Sequence, residues 1–180
     1  MSDLPNDNLG PHSASKETKD GASVVNLGLS TIAAASGKES AAQASGHNSI
    51  AANSGADGEA KTTLPRSVSA TSGRRSTAND KGDGGVAVVT GDDYHAISGG
   101  TYATALAAGD FSDASVHGSD SIAIAAGVGT KARGSVGAWL VLAERKSNLD
   151  LVDVKAVQVD GKTILADTYY TLRDGTVVEA

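Results

Sequence analysis

The chain has 180 residues and a formal net charge of −6, with 39% hydrophobic residues, only 3% aromatic residues and no cysteine. Alanine accounts for 30 of the 71 hydrophobic residues, whereas Ile, Leu, Val and Phe together make up about 19% of the chain, just below the level of an ordinary globular core. These values argue against a single domain with a thick interior, and the modest charge argues against a disordered chain. The absence of cysteine excludes a disulfide framework and a thiolate metal site.

Residues 1–27 are rich in Ser, Asp, Asn, Lys and Gly and show no apolar periodicity. We expect this segment to form a flexible arm, which could also order on a neighbouring subunit. Residues 1–7 contain neither a basic region nor an apolar stretch, so we expect no secretory signal. No apolar run is long enough for a transmembrane helix, and no basic face accumulates along the chain. We therefore expect neither membrane nor nucleic acid as a partner.

A nine-residue repeat runs without insertion over residues 28–135. Counted from Gly28, position one is Gly and position six is Ala in eleven of twelve units, and position four is mostly Ser or Thr. A unit of this length suits one short strand and one tight turn, in which Gly provides either a positive φ or a close backbone approach. Because side chains alternate along a strand, positions four, six and eight should face a narrow interior. The predicted interior includes Ala33, Ala42, Ala51, Ala78, Ala87, Ala105 and Ala123.

The outward positions five and seven carry a second period, which spans two repeat units. In even-numbered units they are mostly polar, whereas in odd-numbered units they are mostly apolar. This alternation predicts an all-β, two-sheet β-solenoid, or β-roll, in which two nine-residue units make one coil and residues 28–135 make six coils. One outer face should then carry the larger apolar side chains Ile32, Ile50, Val68, Val86, Val88, Leu106, Ile122 and Ile124.

Such an apolar stripe is unusual on a soluble monomer. Full burial of eight such side chains would contribute roughly 12–24 kcal/mol per chain, at about 1.5–3 kcal/mol each. We therefore predict a homo-oligomer joined through this face, and we favour a trimer because three flat solenoids can enclose one apolar prism. The alternative is a monomer in which the C-terminal segment or the N-terminal arm covers the stripe.

After residue 135 the repeat gives way to conventional strand patterns. Residues 138–143 and 151–159 are predicted strands followed by an Asp160-Gly161 hairpin turn, and residues 168–172 and 176–179 form a second predicted hairpin around Asp174-Gly175. Residues 136–180 thus form a predicted C-terminal β module that caps the solenoid. Its expected core residues are Trp139, Tyr169 and Tyr170.

We find no motif that indicates catalysis or cofactor binding. The four histidines are scattered, no Gly-x-Ser-x-Gly motif occurs, and the acidic turn residues resemble a calcium-binding roll only in composition. We therefore assign no catalytic, cofactor or metal residue. Arg66, Arg74 and Arg75 form a basic cluster on the turns, which we interpret as a solvated or partner-contacting rim.

Residues 118–134, GSDSIAIAAGVGTKARG, resemble the head repeat of trimeric autotransporter adhesins. In those heads Ser and Ala face the inside of a β-roll, and alternating Val and Ile columns pack against the other chains. The resemblance implies that Ser121 and Ala123 are internal and that Ile122 and Ile124 lie at a subunit interface. We expect neither a signal peptide nor an outer-membrane anchor, so this chain is not expected to be such an adhesin itself.

A second resemblance is to phage and prophage proteins with tandem G-Y-Q-S-A-A-T-N-T nonapeptides. It covers residues 28–180 and is most specific in ARGSVGAWLVLAER at 132–145, VDG at 159–161 and DTYYTLRDG at 167–175. It implies a phage-encoded protein of the virion or the host cytoplasm. We expect a non-enzymatic structural or interaction protein that contacts itself and another virion or host protein; the alternative is an inhibitor that binds a host defence protein.

Overall fold

The computed structural model describes residues 6–8 and 11–180. These residues form two sheets: sheet A has ten strands and sheet B has nine. The strands of sheet A are β1 (Asn6–Asn8), β3 (Ser23–Asn26), β5 (Ala41–Ala44), β7 (Glu59–Thr62), β9 (Thr77–Asp80), β11 (His95–Ser98), β13 (Asp113–Val116), β15 (Lys131–Gly134), β18 (Tyr170–Arg173) and β19 (Thr176–Glu179). The strands of sheet B are β2 (Ala14–Glu17), β4 (Ile32–Ala35), β6 (Ile50–Asn53), β8 (Val68–Thr71), β10 (Val86–Val89), β12 (Thr104–Ala107), β14 (Ile122–Ala125), β16 (Trp139–Arg145) and β17 (Leu151–Gln158).

From β1 to β16 successive strands alternate between the two sheets, so each coil contributes one strand to each sheet. Within a sheet, β1 to β14 each pair in parallel with the equivalent strand of the next coil, as in Ile32 with Ile50 and Ala41 with Glu59. The result is a β-solenoid of about 7 turns, with 18 residues per coil and a C-terminal antiparallel hairpin. The predicted fold class is therefore confirmed. The described residues contain no helix that could cross a membrane.

The solenoid begins before Gly28, the start that the repeat predicted. Strand β2 pairs with β4 through Ala14 and Ile32, and strand β3 pairs with β5 through Ser23 and Ala41, both at the step of one coil. The predicted flexible arm is therefore wrong for residues 6–8 and 11–27; the rest of it lies outside the described residues. Composition hid this coil because the buried position-six residue is Val24, where later coils use Ala.

The interior is filled by small side chains from both sheets. All seven interior alanines named above are buried, with at most 1% of their surface exposed. Position four forms a hydrogen-bonded ladder between coils: the Ser49 hydroxyl accepts from the Thr31 N–H at 3.0 Å, and the Ser67 hydroxyl donates to the Gly46 carbonyl at 3.2 Å. Ser49 and Ser67 at position four are thus satisfied by backbone groups of the neighbouring coil, as a narrow interior requires.

Glycine at position one serves close approach rather than a positive φ. A Cβ on Gly46 would lie 1.8 Å from the Gly28 carbonyl oxygen, and a Cβ on Gly55 would lie 1.8 Å from that of Gly37. The positive φ falls at position three, for example 55° at Asn48 and 57° at Asp57. The N–H at this position donates to a carbonyl in the turn of the following coil, as from Asn48 to Pro65 at 3.2 Å, so the tips of successive turns are joined.

Two buried polar side chains at position eight close the turn that follows their strand. The Asn53 Oδ1 accepts from the Gly55 N–H at 2.8 Å, and the Asp80 Oδ1 accepts from the Gly82 N–H at 2.9 Å. Asp80 is fully buried and its other oxygen accepts from the Thr62 hydroxyl. Burial raises the pKa of Asp80, while the hydrogen bonds from Thr62 and Gly82 oppose that rise.

Each sheet ends in an antiparallel strand at the C-terminal end. Strand β16 continues sheet B beside β14 and then turns back into β17, with residues 146–150 between them. The predicted hairpin turn at Asp160-Gly161 is therefore wrong: the Asp160 carboxylate instead accepts backbone N–H groups of residues 162–164 and begins a non-strand segment. The predicted second hairpin is present as β18 and β19.

The core of this C-terminal module is mainly aliphatic. Tyr170 is buried with its hydroxyl accepting from the Leu165 N–H at 2.9 Å. The prediction that Trp139 belongs to this core is wrong, because 44% of its surface is exposed. Tyr169 is only half-buried and lies outside the core. The buried side chains are Ala138, Leu140, Leu142, Val159, Tyr170 and Leu172.

Candidate interaction surface

The outer face of sheet B carries two parallel columns of side chains, which we call the apolar face. The first column, from position five, runs through Ala14, Ile32, Ile50, Val68, Val86, Thr104, Ile122 and Trp139. The second, from position seven, runs through Lys16, Ala34, Ala52, Ala70, Val88, Leu106, Ile124 and Val141. All eight residues predicted at an oligomer interface lie in these columns.

The apolar face is open in the single chain. Ile32, Ile50 and Ile122 are 45%, 40% and 39% exposed, and the other five predicted interface residues are half-buried by their neighbours within the sheet. Among residues 11–180, neither the N-terminal segment nor the C-terminal module covers the face, because both contribute strands to the ends of sheet B. A monomer whose own terminal segments cover the stripe, the alternative considered above, therefore has no covering segment in the described part of the chain.

Trp139 extends the apolar face beyond the repeat. Its Cα is paired with that of Ile122, and Val141 is paired with Ile124. On β17, Ala156 and Val154 pair with Val141 and Ala143, and Val154 is 49% exposed. Sequence reasoning missed this extension because residues 136–180 were treated as a separate module with an inward-facing Trp. The alternation of large apolar residues in β16 was the available signal.

Side-chain size changes along the second column. At its N-terminal half Ala34, Ala52 and Ala70 form the floor of a groove that runs along the face, with Lys16 at one end and Val88 at the other. At its C-terminal half the column rises to Leu106 and Ile124. The apolar face is thus thin at one end of the solenoid and thick at the other.

Charge is almost absent from the apolar face. Between β4 and β16 neither column contains an ionisable side chain, and Lys16 on β2 is the sole charged residue in either column among the residues described. Ser36, Ser54 and Ser72 border the groove with neutral hydroxyl groups. A surface of this composition resembles the centre of a protein interface, where charged residues are depleted.

The outer face of sheet A is polar, and charged side chains on neighbouring strands contact one another. The Asp113 carboxylate lies 3.2 Å from His95 Nδ1 and 3.7 Å from Lys131 Nζ. Burial raises the pKa of Asp113, and its contacts with Lys131 and His95 oppose that rise. Tyr169 covers this end of the face, with its ring centre 4.8 Å from Lys131 Nζ and 4.7 Å from the Arg133 guanidinium carbon.

The turn acids serve the backbone of the next coil. The Asp92 carboxylate accepts from the Asp110 N–H at 3.0 Å, and the Asp110 carboxylate accepts from the Val128 N–H at 2.9 Å. In the basic cluster Arg75 pairs with Asp57 at 2.8 Å on the adjacent coil. These contacts engage Asp92, Asp110 and Arg75 within the chain. Of the surfaces described, the apolar face is the one whose contacts are incomplete.

No protein-family model, curated protein or solved structure matches this chain. The apolar face is therefore interpreted from its own residues and geometry.

Proposed function

We propose that this protein is a non-enzymatic structural or interaction protein: a homo-oligomeric β-solenoid, encoded by a phage, that acts as a virion-associated or surface-presenting component. The observation that carries the proposal is the apolar face, which is uncharged over seven successive strands and open in the single chain. Its location on one sheet leaves the polar face of sheet A free to contact another virion or host protein.

The energetics of the face favour self-association. Because the eight predicted interface residues are about half-buried or better in the single chain, only roughly a third of their full burial energy remains, or about 4–8 kcal/mol per chain. Two chains together then gain roughly 8–16 kcal/mol, against an association cost of about 4–15 kcal/mol. A micromolar complex needs a net gain of about 8 kcal/mol, which the face supplies when the burial gain is near the top and the association cost near the bottom of these ranges.

A pair of matched substitutions tests the interface. Ala52→Asp places a carboxylate on the floor of the groove, and Asn79→Asp places one at the equivalent position of sheet A; both residues are half-buried at position seven. By sedimentation, Ala52→Asp should weaken association by ten-fold or more, while Asn79→Asp should keep the wild-type mass. Circular dichroism should show both variants folded. A wild-type protein that stays monomeric at tens of micromolar would contradict the proposal.

The particle role is tested by location. Mass spectrometry of purified virus particles from cells that express the gene should detect the protein at a fixed copy number per particle. Recovery of the protein solely as a free species in the infected-cell lysate would contradict a particle role and favour the inhibitor alternative.

A further inference from the structure

The gradient of side-chain size along the apolar face determines how a second copy can fit. This inference rests on the self-association proposed above and adds its geometry. In the second column, Ala34, Ala52 and Ala70 on β4, β6 and β8 are followed by Val88, Leu106 and Ile124 on β10, β12 and β14. Small residues thus occupy one half of the column and large residues the other half, with the change between β8 and β10.

We propose that two copies pack sheet B against sheet B with opposite coil order, around a two-fold axis that lies between β8 and β10 and runs parallel to the strands. In this arrangement each position of a column faces the same column of the partner, read in reverse. Ala70 then faces Val88, Ala52 faces Leu106 and Ala34 faces Ile124, so that a methyl group meets a branched side chain in these three rows. In the outermost row Lys16 faces Val141. The groove of each copy receives the ridge of the other, as a self-complementary two-fold interface requires.

The first column fits the same reversal. Val68 faces Val86, Ile50 faces Thr104 and Ile32 faces Ile122, so no row combines two small residues. In the outermost row Ala14, the smallest residue of the column, faces Trp139, the largest. The spacing between the two sheets therefore stays even along the whole length, which close packing of the interface core demands.

A parallel arrangement, with two or three copies around an axis along the solenoid, lacks this compensation. Each layer would then combine positions five and seven of the same strand: Ile32 with Ala34 at one end, and Trp139 with Val141 at the other. The apolar layer would be thicker at the C-terminal end than at the N-terminal end, which forces the chains apart or leaves voids. It would also bring the Lys16 side chains of all copies together at one end, where like charges repel. Opposite coil order places the Lys16 residues at opposite ends.

The proposed dimer also uses the full parallel part of sheet B. The axis between β8 and β10 lies at the middle of the eight parallel strands β2 to β16, so every one of these strands faces a partner strand. Eight strands at about 4.8 Å and four residues per strand at about 3.3 Å give a face of roughly 38 by 13 Å. The two copies together then bury about 1,000 Å², counted as flat area without the additional surface of the side chains. This area reaches the lower limit for a specific interface.

Cysteine cross-linking tests the arrangement in a chain without natural cysteine. Because facing sheets lie about 10 Å apart, beyond the reach of a direct disulfide, co-expressed Ala34→Cys and Ile124→Cys should give a covalent dimer when treated with a short bis-maleimide reagent. Each variant expressed alone is the control and should give none, because the two copies of each introduced thiol would lie about 24 Å apart. The second pair, Ile32→Cys with Ala34→Cys, would be cross-linked in a parallel arrangement. We therefore expect no cross-link from this pair.

The wild-type mass by sedimentation completes the test, and we expect a dimer. A cross-link in the second pair, the lack of one in the first pair, or a trimeric mass would overturn the two-fold arrangement while leaving self-association intact. A monomeric mass would instead contradict the proposed function itself, so the two failures are distinguishable.

Discussion

Ile122 and Trp139 lie side by side on adjacent parallel strands, although their separation along the chain is one residue shorter than a full coil. The missing residue falls in the turn around Val136 and Gly137, where Gly137 has a φ of 91°. An unbroken nine-residue count would place Trp139 at position four, facing inward. The one-residue slip turns it outward, because a shift by one residue moves a strand's side chains to the opposite face.

Trp139 is the single tryptophan of the chain, so its fluorescence reports burial of the apolar face. We expect acrylamide quenching to increase several-fold when the protein is diluted below its dissociation constant, because dissociation returns the indole to its 44% exposure. The Ala52→Asp variant should show the high quenching value at concentrations at which the wild type is still associated. A quenching value that does not change on dilution, in a protein whose mass does change, would place Trp139 outside the interface.

Asp80→Asn should change how stability depends on pH. Burial raises the pKa of Asp80 in the folded state above its ordinary value of 3.8, so the stability linked to its proton is fully present below about pH 4 and is lost as pH rises through the folded pKa. An Asn can accept from the Gly82 N–H as Asn53 accepts from the Gly55 N–H at 2.8 Å.

Denaturant titrations at several pH values measure this difference. Near pH 3 the two proteins should have similar free energies of unfolding, and at pH 7 the Asn variant should be more stable than the wild type. An Asn variant that becomes progressively less stable than wild type between pH 4 and 7 would show that the ionised carboxylate is favoured in the interior.

Gly46→Ala should destabilise the solenoid strongly, by about 3 kcal/mol or more. Its Cβ would lie 1.8 Å from the Gly28 carbonyl oxygen, and a backbone carbonyl cannot move without disturbing the coil. Gly84→Asn is the matched control: Gly84 has a φ of 64° and open space around it, and Asn tolerates this conformation. Thermal unfolding followed by circular dichroism should show a small change for the control. Equal loss in both variants would show that the close approach to the Gly28 carbonyl does not determine the cost.

Removal of residues 136–180 should cause aggregation. The truncation unpairs the outer edges of β14 and β15 and removes the aliphatic core of the module, so two parallel strand edges become templates for other chains. Light scattering and pelleting of the truncated protein measure this outcome. A truncated protein that remains dispersed and keeps its β spectrum would refute the capping role.

The sequence allowed the coil to be predicted because every repeat unit meets the same physical constraints. Position six is small because two sheets leave little room between them, and position one is Gly because a carbonyl of the preceding coil is within Cβ distance. The first coil escaped detection because it lacks glycine at one of these positions. Lys19 stands at position one there, and the equivalent residue one coil earlier, Met1, lies outside the described residues.

The candidate surface was less predictable at its C-terminal end. The eight repeat residues could be assigned to one outer face from their period alone, whereas Trp139 and Val141 depend on the one-residue slip near Gly137. The closing contacts of Tyr169 with Lys131 and Arg133 join segments that are far apart in the chain. No local pattern encodes a contact of that kind, because it depends on where the chain returns after β17.

Because the coil period is strict, the number of coils determines the length of the solenoid. Deleting or duplicating one whole coil within the repeat would change the length of the body by about 4.8 Å and leave each remaining coil with equivalent neighbours. Deleting a single nine-residue unit would preserve every remaining strand and turn but transfer all later strands to the opposite sheet, so that apolar and polar faces exchange partway along. Changes in repeat number can therefore adjust the size of this protein in whole coils, and half-coil changes would divide its apolar face in two.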